Sequence, residues 1–236
     1  MSIPSPSRRR GLLLGAVLAA AAVPPLVPAA AQPPPSAAGA RAAAAPLSER
    51  DRADLARVEA YLNRLTTLRA RFLQIAQNGA AAEGTAWIWR PGRMRFEYDP
   101  PEPLLLVASH GQFLLYDREL RQPSTVPVAQ TPLAFLLRET LRLSGDVTVT
   151  RVERGGGFLR VTLFRTAAPA EGRLTLVFQD DPIELRQWVV VDAQGRETRV
   201  SLSRIETGVR MDPRIFEFND PRFFETEPQR GPPGGG

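Results

Sequence analysis

The amino-acid sequence predicts a mainly-β fold of the α+β class: an antiparallel sheet of about eleven strands, with one helix before it and a second interrupting it. Three observations carry that prediction. From Leu68 nearly to the C-terminus, apolar residues recur at every second position in short runs, the spacing of half-buried strands. Turn-forming pairs separate the runs, among them Asn78-Gly79, Pro91-Gly92, His110-Gly111 and Gln194-Gly195. Two other segments space their apolar residues three and four apart, as helices do.

The first of these segments opens at Ser48, an N-cap with Asp51 three positions on, close to a capping box. Leu55, Val58, Leu62 and Leu65 then share one face, while Arg52, Glu59 and Asn63 occupy the other. Strands are expected at 70–77, 84–90, 93–98, 104–109, 112–116, 122–128, 147–152, 158–165, 173–179, 183–191 and 197–205. Asp180-Asp181-Pro182 and Gly155-Gly156-Gly157 read as further turns. The meander is interrupted at Thr131-Pro132, an N-cap followed by proline at the first helical position, after which Leu133, Leu136, Leu137 and Leu141 continue at helical spacing. This helix is either a lid over an apolar face or a plain cover for a barrel end. So many consecutive strands bury one face only if the sheet curves or closes.

The flanks have a different chemistry. Arg8, Arg9 and Arg10 precede an apolar run from Gly11 to Val27, and Ala29-Ala30-Ala31 follows, so residues 1–31 read as a cleavable export signal that delivers the protein to the periplasm. The stretch Ser7-Arg8-Arg9-Arg10-Gly11-Leu12-Leu13 resembles a twin-arginine signal, with Gly11 in place of a bulky apolar residue. Residues 32–46 form a Pro/Ala-rich linker and residues 229–236 a Gly/Pro-rich tail, both too poor in bulky apolar side chains to order themselves, which leaves residues 47–228 as the folded unit.

All 30 basic residues are arginine, and three of them lie in the export signal, so the formal charge of +5 falls towards neutrality in the mature chain. That balance argues against a nucleic-acid partner, which calls for clustered positive charge. The absence of cysteine excludes disulfides, thiolate metal ligands and a cysteine nucleophile. The single histidine, His110, stands in a hairpin turn, so the common zinc sites lack their ligands and no metal or other cofactor is assigned. No nucleophile elbow or phosphate loop occurs. Carboxylate pairs such as Asp180 with Asp181 or Glu97 with Asp99 are the only basis for a hydrolase reading, and turn formation or exposed alternation accounts for them. No catalytic residue is assigned, and the protein is expected not to be an enzyme.

One constellation remains. The stretch from Gly84 to Tyr98, GTAWIWRPGRMRFEY, is similar to the signature hairpin of the periplasmic outer-membrane lipoprotein carrier family, the LolA-like proteins. Phe72 and Gln74 precede it as in that family's first strand, and Pro101 with Val107 through Tyr116 resembles its next hairpin. The run from Thr131 to Leu137 resembles its lid helix, and Asp212 through Phe218 its C-terminal close. The ordered set covers about residues 47–224.

The resemblance implies an incomplete antiparallel β-barrel with a helical lid over an apolar concave face that holds acyl chains. It implies that Arg90, before the proline of the signature hairpin, latches sheet to lid. A guanidinium has five donors in a rigid fork and keeps its charge, so on an inner face it demands acceptors such as lid carbonyls. Alternation places Ala86, Ile88 and Arg90 on one strand face and Trp87 and Trp89 on the other. Met94, Phe96 and Tyr98 form the matching face across the turn. The expected acyl cavity is therefore lined by Ile88, Met94, Phe96, Tyr98, Leu133, Leu136 and Leu137. Trp89 stands where the family usually has a polar residue, which leaves open whether that outer face is covered.

The implied function is to shuttle acylated lipoproteins from an inner-membrane ABC-type lipoprotein release complex towards an outer-membrane receptor, acting as a monomer and without a cofactor. The alternative is a periplasmic binder or sensor of other lipids or hydrophobic ligands on a related fold.

Overall fold

The computed structural model describes residues 47–218; the expected export signal, linker and tail lie outside the described residues. Helix α1 spans Glu49–Arg64 and carries the full capping box, with the Ser48 hydroxyl accepting from the Asp51 amide at 3.1 Å and the Asp51 carboxylate accepting from the Ser48 amide at 3.0 Å. Eleven strands follow: β1 Thr67–Ala76, β2 Ala81–Trp89, β3 Arg93–Tyr98, β4 Leu104–Ser109, β5 Gln112–Asp117, β6 Gln122–Pro127, β7 Val147–Gly155, β8 Phe158–Arg165, β9 Gly172–Gln179, β10 Glu184–Asp192 and β11 Glu197–Thr207. Each overlaps an expected strand. Among the described residues, no helix is long and apolar enough to cross a membrane.

The strands form one antiparallel sheet in the order β6-β5-β4-β3-β2-β1-β11-β10-β9-β8-β7. Two meanders, β1–β6 and β7–β11, are thus stitched together where β1 pairs with β11, Phe72 opposite Leu202 and Gln74 opposite Val200. The two outermost strands, β6 and β7, are consecutive in sequence and do not pair, so the sheet is an incomplete barrel. Residues 128–146 run from one edge strand to the other.

The sheet buries its concave side around one large apolar cluster, to which α1 contributes Leu55, Val58 and Leu62. Gly84 lies in this layer because nothing larger fits: a Cβ there would collide with the Glu97 carbonyl and stand 2.6 Å from the Phe72 ring. A smaller cluster lies on the convex side, where a 3-10 turn at Pro213–Phe216 packs on Trp87, Trp89, Leu105, Val107 and Tyr116. Trp89 and Phe216 meet edge to face at 6.1 Å, so the outer face of the signature hairpin is covered.

The interrupting segment departs from expectation. It is a 3-10 helix over Pro132–Leu137 only, and Arg138 (φ −67°, ψ 151°) turns the chain extended before Leu141 is reached. Thr131 does not cap it through its side chain, because its hydroxyl donates to the Val128 carbonyl at 2.9 Å. Leu141 and Leu143 still bury their side chains, but from a bent stretch without regular structure.

Candidate functional site

The antiparallel register lays the expected cavity residues in rows across the concave face. Ile88 stands opposite Met94 with Leu68 and Ala108 beside them, and the next row sets Ala86 against Phe96 and Leu106. All seven expected cavity residues are buried. Phe72 binds the rows together, its ring centre 4.9 Å from Phe96 and 5.0 Å from Tyr98, and Phe96 meets Trp188 edge to face at 6.0 Å.

Above these rows the Pro132–Leu137 turn presses Leu133, Phe135, Leu136 and Leu137 into the same cluster. A cavity of about 30 Å³, room for little more than a water molecule, lies at the start of this turn. Phe96, Tyr98 and Leu133 line it, joined by Gln74, Thr131, Trp188 and Val200. Ile88, Met94, Leu136 and Leu137 pack in the surrounding cluster without lining it.

Arg90 follows β2 at the rim of this face and is 8% exposed. Its guanidinium donates to four main-chain carbonyls: Leu62 and Leu65 (3.0 Å) at the end of α1, and Arg138 (2.8 Å) and Glu139 (2.9 Å) just after the 3-10 turn. Burial pulls its pKa below the ordinary guanidinium value. The adjoining turn adds a main-chain bond, Gly92 N–H to the Leu137 carbonyl at 2.8 Å.

Sequence reasoning assigned Glu59 and Asn63 to the polar face of α1, and the structure turns both onto the cover. Asn63 donates to the Leu141 carbonyl and accepts from the Leu141 amide, both at 2.9 Å, and Glu59 accepts from the Leu143 amide at 2.5 Å. These two side chains, four apart on one helix face, supply bonds that the irregular segment cannot make within itself. Of the carboxylates in the candidate hydrolase pairs, Glu97 is ion-paired with Arg95 and Arg118, Asp99 with Arg71, and Asp180 with Arg57.

A curved sheet, an apolar concave face and a two-part cover fastened by one buried arginine are now in place, and residues 63–219 match the family described as outer membrane lipoprotein carrier protein LolA. The chain belongs to the LolA family. A relative named outer-membrane lipoprotein carrier protein, from Alkalilimnicola ehrlichii, is 32% identical over 181 residues, covering 72% of this chain and 80% of its own. Another of that name, from Methylococcus capsulatus, is 26% identical over 183 residues, covering 74% of this chain and 87% of its own. A LolA superfamily protein of solved structure from Nitrosomonas europaea is 8% identical and covers 70% of this chain and 96% of its own, with a TM-score of 0.41.

The resemblance led to the residues of the LolA signature hairpin and lid, but not to the C-terminal half of the cavity wall. Trp188, Val190, Thr198 and Val200 reach the cavity from β10 and β11. Gln74 did carry a readable signal: it shares strand parity with Leu68, Ala70 and Phe72, which places a polar side chain on the apolar face.

Proposed function

We propose that the protein is a periplasmic carrier that takes the acyl chains of lipoproteins beneath the 131–143 cover and moves them from the inner towards the outer membrane. The observation that carries this reading is the set of acceptors of Arg90. Two are main-chain carbonyls of that cover and two lie at the end of α1, so one side chain that keeps its charge ties the sheet to both covering elements. Membership of the LolA family and the names of the relatives support it.

The energetics suit a latch that cargo can displace. Each hydrogen bond to a charged group contributes about 1.5–3 kcal/mol and each buried acyl CH₂ about 0.8 kcal/mol, so a chain of roughly eight to fifteen such groups offsets the loss of all four bonds. Cargo entry therefore has to open the cover, and closing the cover has to expel cargo. Handing the chain to a receiver then needs no nucleotide at this protein; an inner-membrane ABC-type release complex would load it, and an outer-membrane receptor would unload it.

The test is the native cargo. Protein recovered from the periplasm is expected to carry acylated proteins identifiable by mass spectrometry, and Arg90→Leu is expected to alter the rate at which it releases them. Recovery of free lipids alone would favour the binder or sensor of other lipids, and unchanged release by Arg90→Leu would reject the latch.

A further inference from the structure

We infer that Gln74 and Tyr98 form a polar subsite for the carbonyl group of an acyl ester or amide. The inference rests on the carrier reading and names the part of the cargo that this end of the cavity receives. The Tyr98 hydroxyl donates to Gln74 Oε1 at 2.9 Å, with the two residues 3% and 2% exposed. Both line the cavity beside Thr131 at the start of the cover.

The pair is out of character with its surroundings. Every other inward position of β1, from Leu68 to Ala76, is apolar, and the rest of the lining is apolar at Phe96, Leu106, Leu133, Trp188 and Val200, with only the short hydroxyl side chains of Thr131 and Thr198 beside them. Leucine and phenylalanine would fill the same space without any polar group to satisfy, and a buried polar group is costly unless it is bonded. The bond between the two side chains uses one donor and one acceptor of a pair with a larger capacity, since an amide has two N–H donors and a carbonyl with two lone pairs, and a phenol oxygen also accepts. A cavity the size of a water molecule beside them matches a carbonyl oxygen.

An ester- or amide-linked acyl chain is hydrocarbon with one such oxygen at its head. Entering an apolar cavity strips water from that oxygen, and only a donor inside the cavity replaces it. Tyr98 and Met94 are four residues apart on β3, about 13 Å along the strand. The Tyr98 hydrogen is given to Gln74 Oε1, so the donor for such a carbonyl is the Gln74 amide N–H. A chain held there lays its hydrocarbon over Phe96 and Met94 towards Arg90. The polar pair sets the position of the head, and the methyl end meets the latch.

Equilibrium binding of two pyrene-tagged probes of equal chain length, a diacylglycerol and an alkane, tests the assignment. Full-length wild-type protein is expected to prefer the diacylglycerol by about tenfold, one hydrogen bond's worth. The double variant Gln74→Met/Tyr98→Phe, which leaves no orphaned partner, is expected to lose that preference, read as the ratio of the two affinities within the same variant. Tyr98→Phe, which leaves the Gln74 N–H donors in place, is expected to keep part of it. Equal binding of the two probes by wild type, or a preference kept by the folded double variant, overturns the subsite and leaves the carrier reading standing. Failure of wild type to bind either probe overturns the carrier reading itself.

Discussion

On the convex face of the hairpin β2–β3, Phe216 packs against Trp89 and closes over Leu105, Val107 and Tyr116, and a bond from Arg95 to the Ile215 carbonyl at 2.9 Å accompanies this apolar contact. On the concave face, residues 131–143 close over Met94 and Phe96, and their main chain is held by Arg90, Gly92, Asn63 and Glu59. One hairpin therefore carries two covers of different kinds. Apolar burial falls away gradually as a contact loosens, whereas directed hydrogen bonds weaken steeply with misalignment and leave buried carbonyls unsatisfied. A cover meant to stay fits the first kind of fastening. A cover meant to open between two defined positions fits the second.

The comparison predicts that the two covers fail independently. The largest effect belongs to the convex side: Phe216→Ala removes a ring that is 1% exposed and is expected to lower unfolding stability by about 3–5 kcal/mol in a denaturant titration. Binding of an acyl probe on the other face should stay unchanged at temperatures where the variant is folded. A parallel loss of probe affinity would show that the two covers are coupled through the sheet.

Arg90→Leu is the matching test on the concave side. At the low end of 1.5–3 kcal/mol per bond the four bonds contribute about 6 kcal/mol, of which the buried leucine regains up to about 3 kcal/mol, so the global loss is expected near ~3 kcal/mol. Locally the change is larger in kind: the Gly92 amide, bonded to the Leu137 carbonyl, should lose protection from hydrogen exchange while the amides of β4 and β5 keep theirs. Protection retained at Gly92 would mean that apolar packing of Leu133, Leu136 and Leu137 holds this cover as well, and the contrast between the faces would disappear.

Asn63→Ala should cost less, about 1–2 kcal/mol for two bonds between neutral groups. Its particular signature is loss of exchange protection at the Leu141 amide with Gly92 unaffected. That outcome would divide the cover into a segment held to α1 and a turn held to the sheet.

How much of this was legible in the sequence follows the range of the forces involved. All eleven strands were readable, because alternation and turn chemistry are local, and the capping box at Ser48 was readable for the same reason. The rows Ile88–Met94 and Ala86–Phe96 followed from a short hairpin turn and a period of two. The cover was misread where local and distant demands conflict. Leu133, Leu136, Leu137 and Leu141 have helical spacing, but the last turn of a helix through Leu141 would need the Leu141 N–H and the Leu137 carbonyl, and Asn63 and Gly92 take those instead. The cavity's second wall, Trp188 and Val200, depends on β1 pairing with β11 across more than a hundred residues, and no local period reports such a pairing.

The smallest expected effect is electrostatic and concerns the far end of α1, where the comparison between fastenings extends to a third. Arg154 on β7 pairs with Asp51 at 2.8 Å and Asp54 at 2.5 Å, and Arg57 bridges Asp54 to Asp180 in the β9–β10 turn. Bonds from the Ser48 side chain and from Arg154 hold the Asp51 carboxyl at about 2, below its ordinary 3.8. Burial pushes Asp54 upward, but the bonds from Arg154 and Arg57 outweigh it and leave its pKa lowered. A carboxylate with a depressed folded-state pKa contributes its stability fully above the unfolded value and loses it as pH falls through the folded one. Stability against denaturant should therefore be insensitive to these two groups above pH 5 and should decline between about pH 4 and pH 2. Arg154→Met should shrink that acid-range decline. Arg90 is bonded only to carbonyls, so the Arg90–Gly92 end of the cover has no carboxylate partner, in contrast to the Leu143 end, where Glu59 accepts from the main chain. Acid should thus loosen the N-terminal end of α1 before it loosens the exchange protection of Gly92, and the reverse order would place the titrating control of the cover at the latch itself.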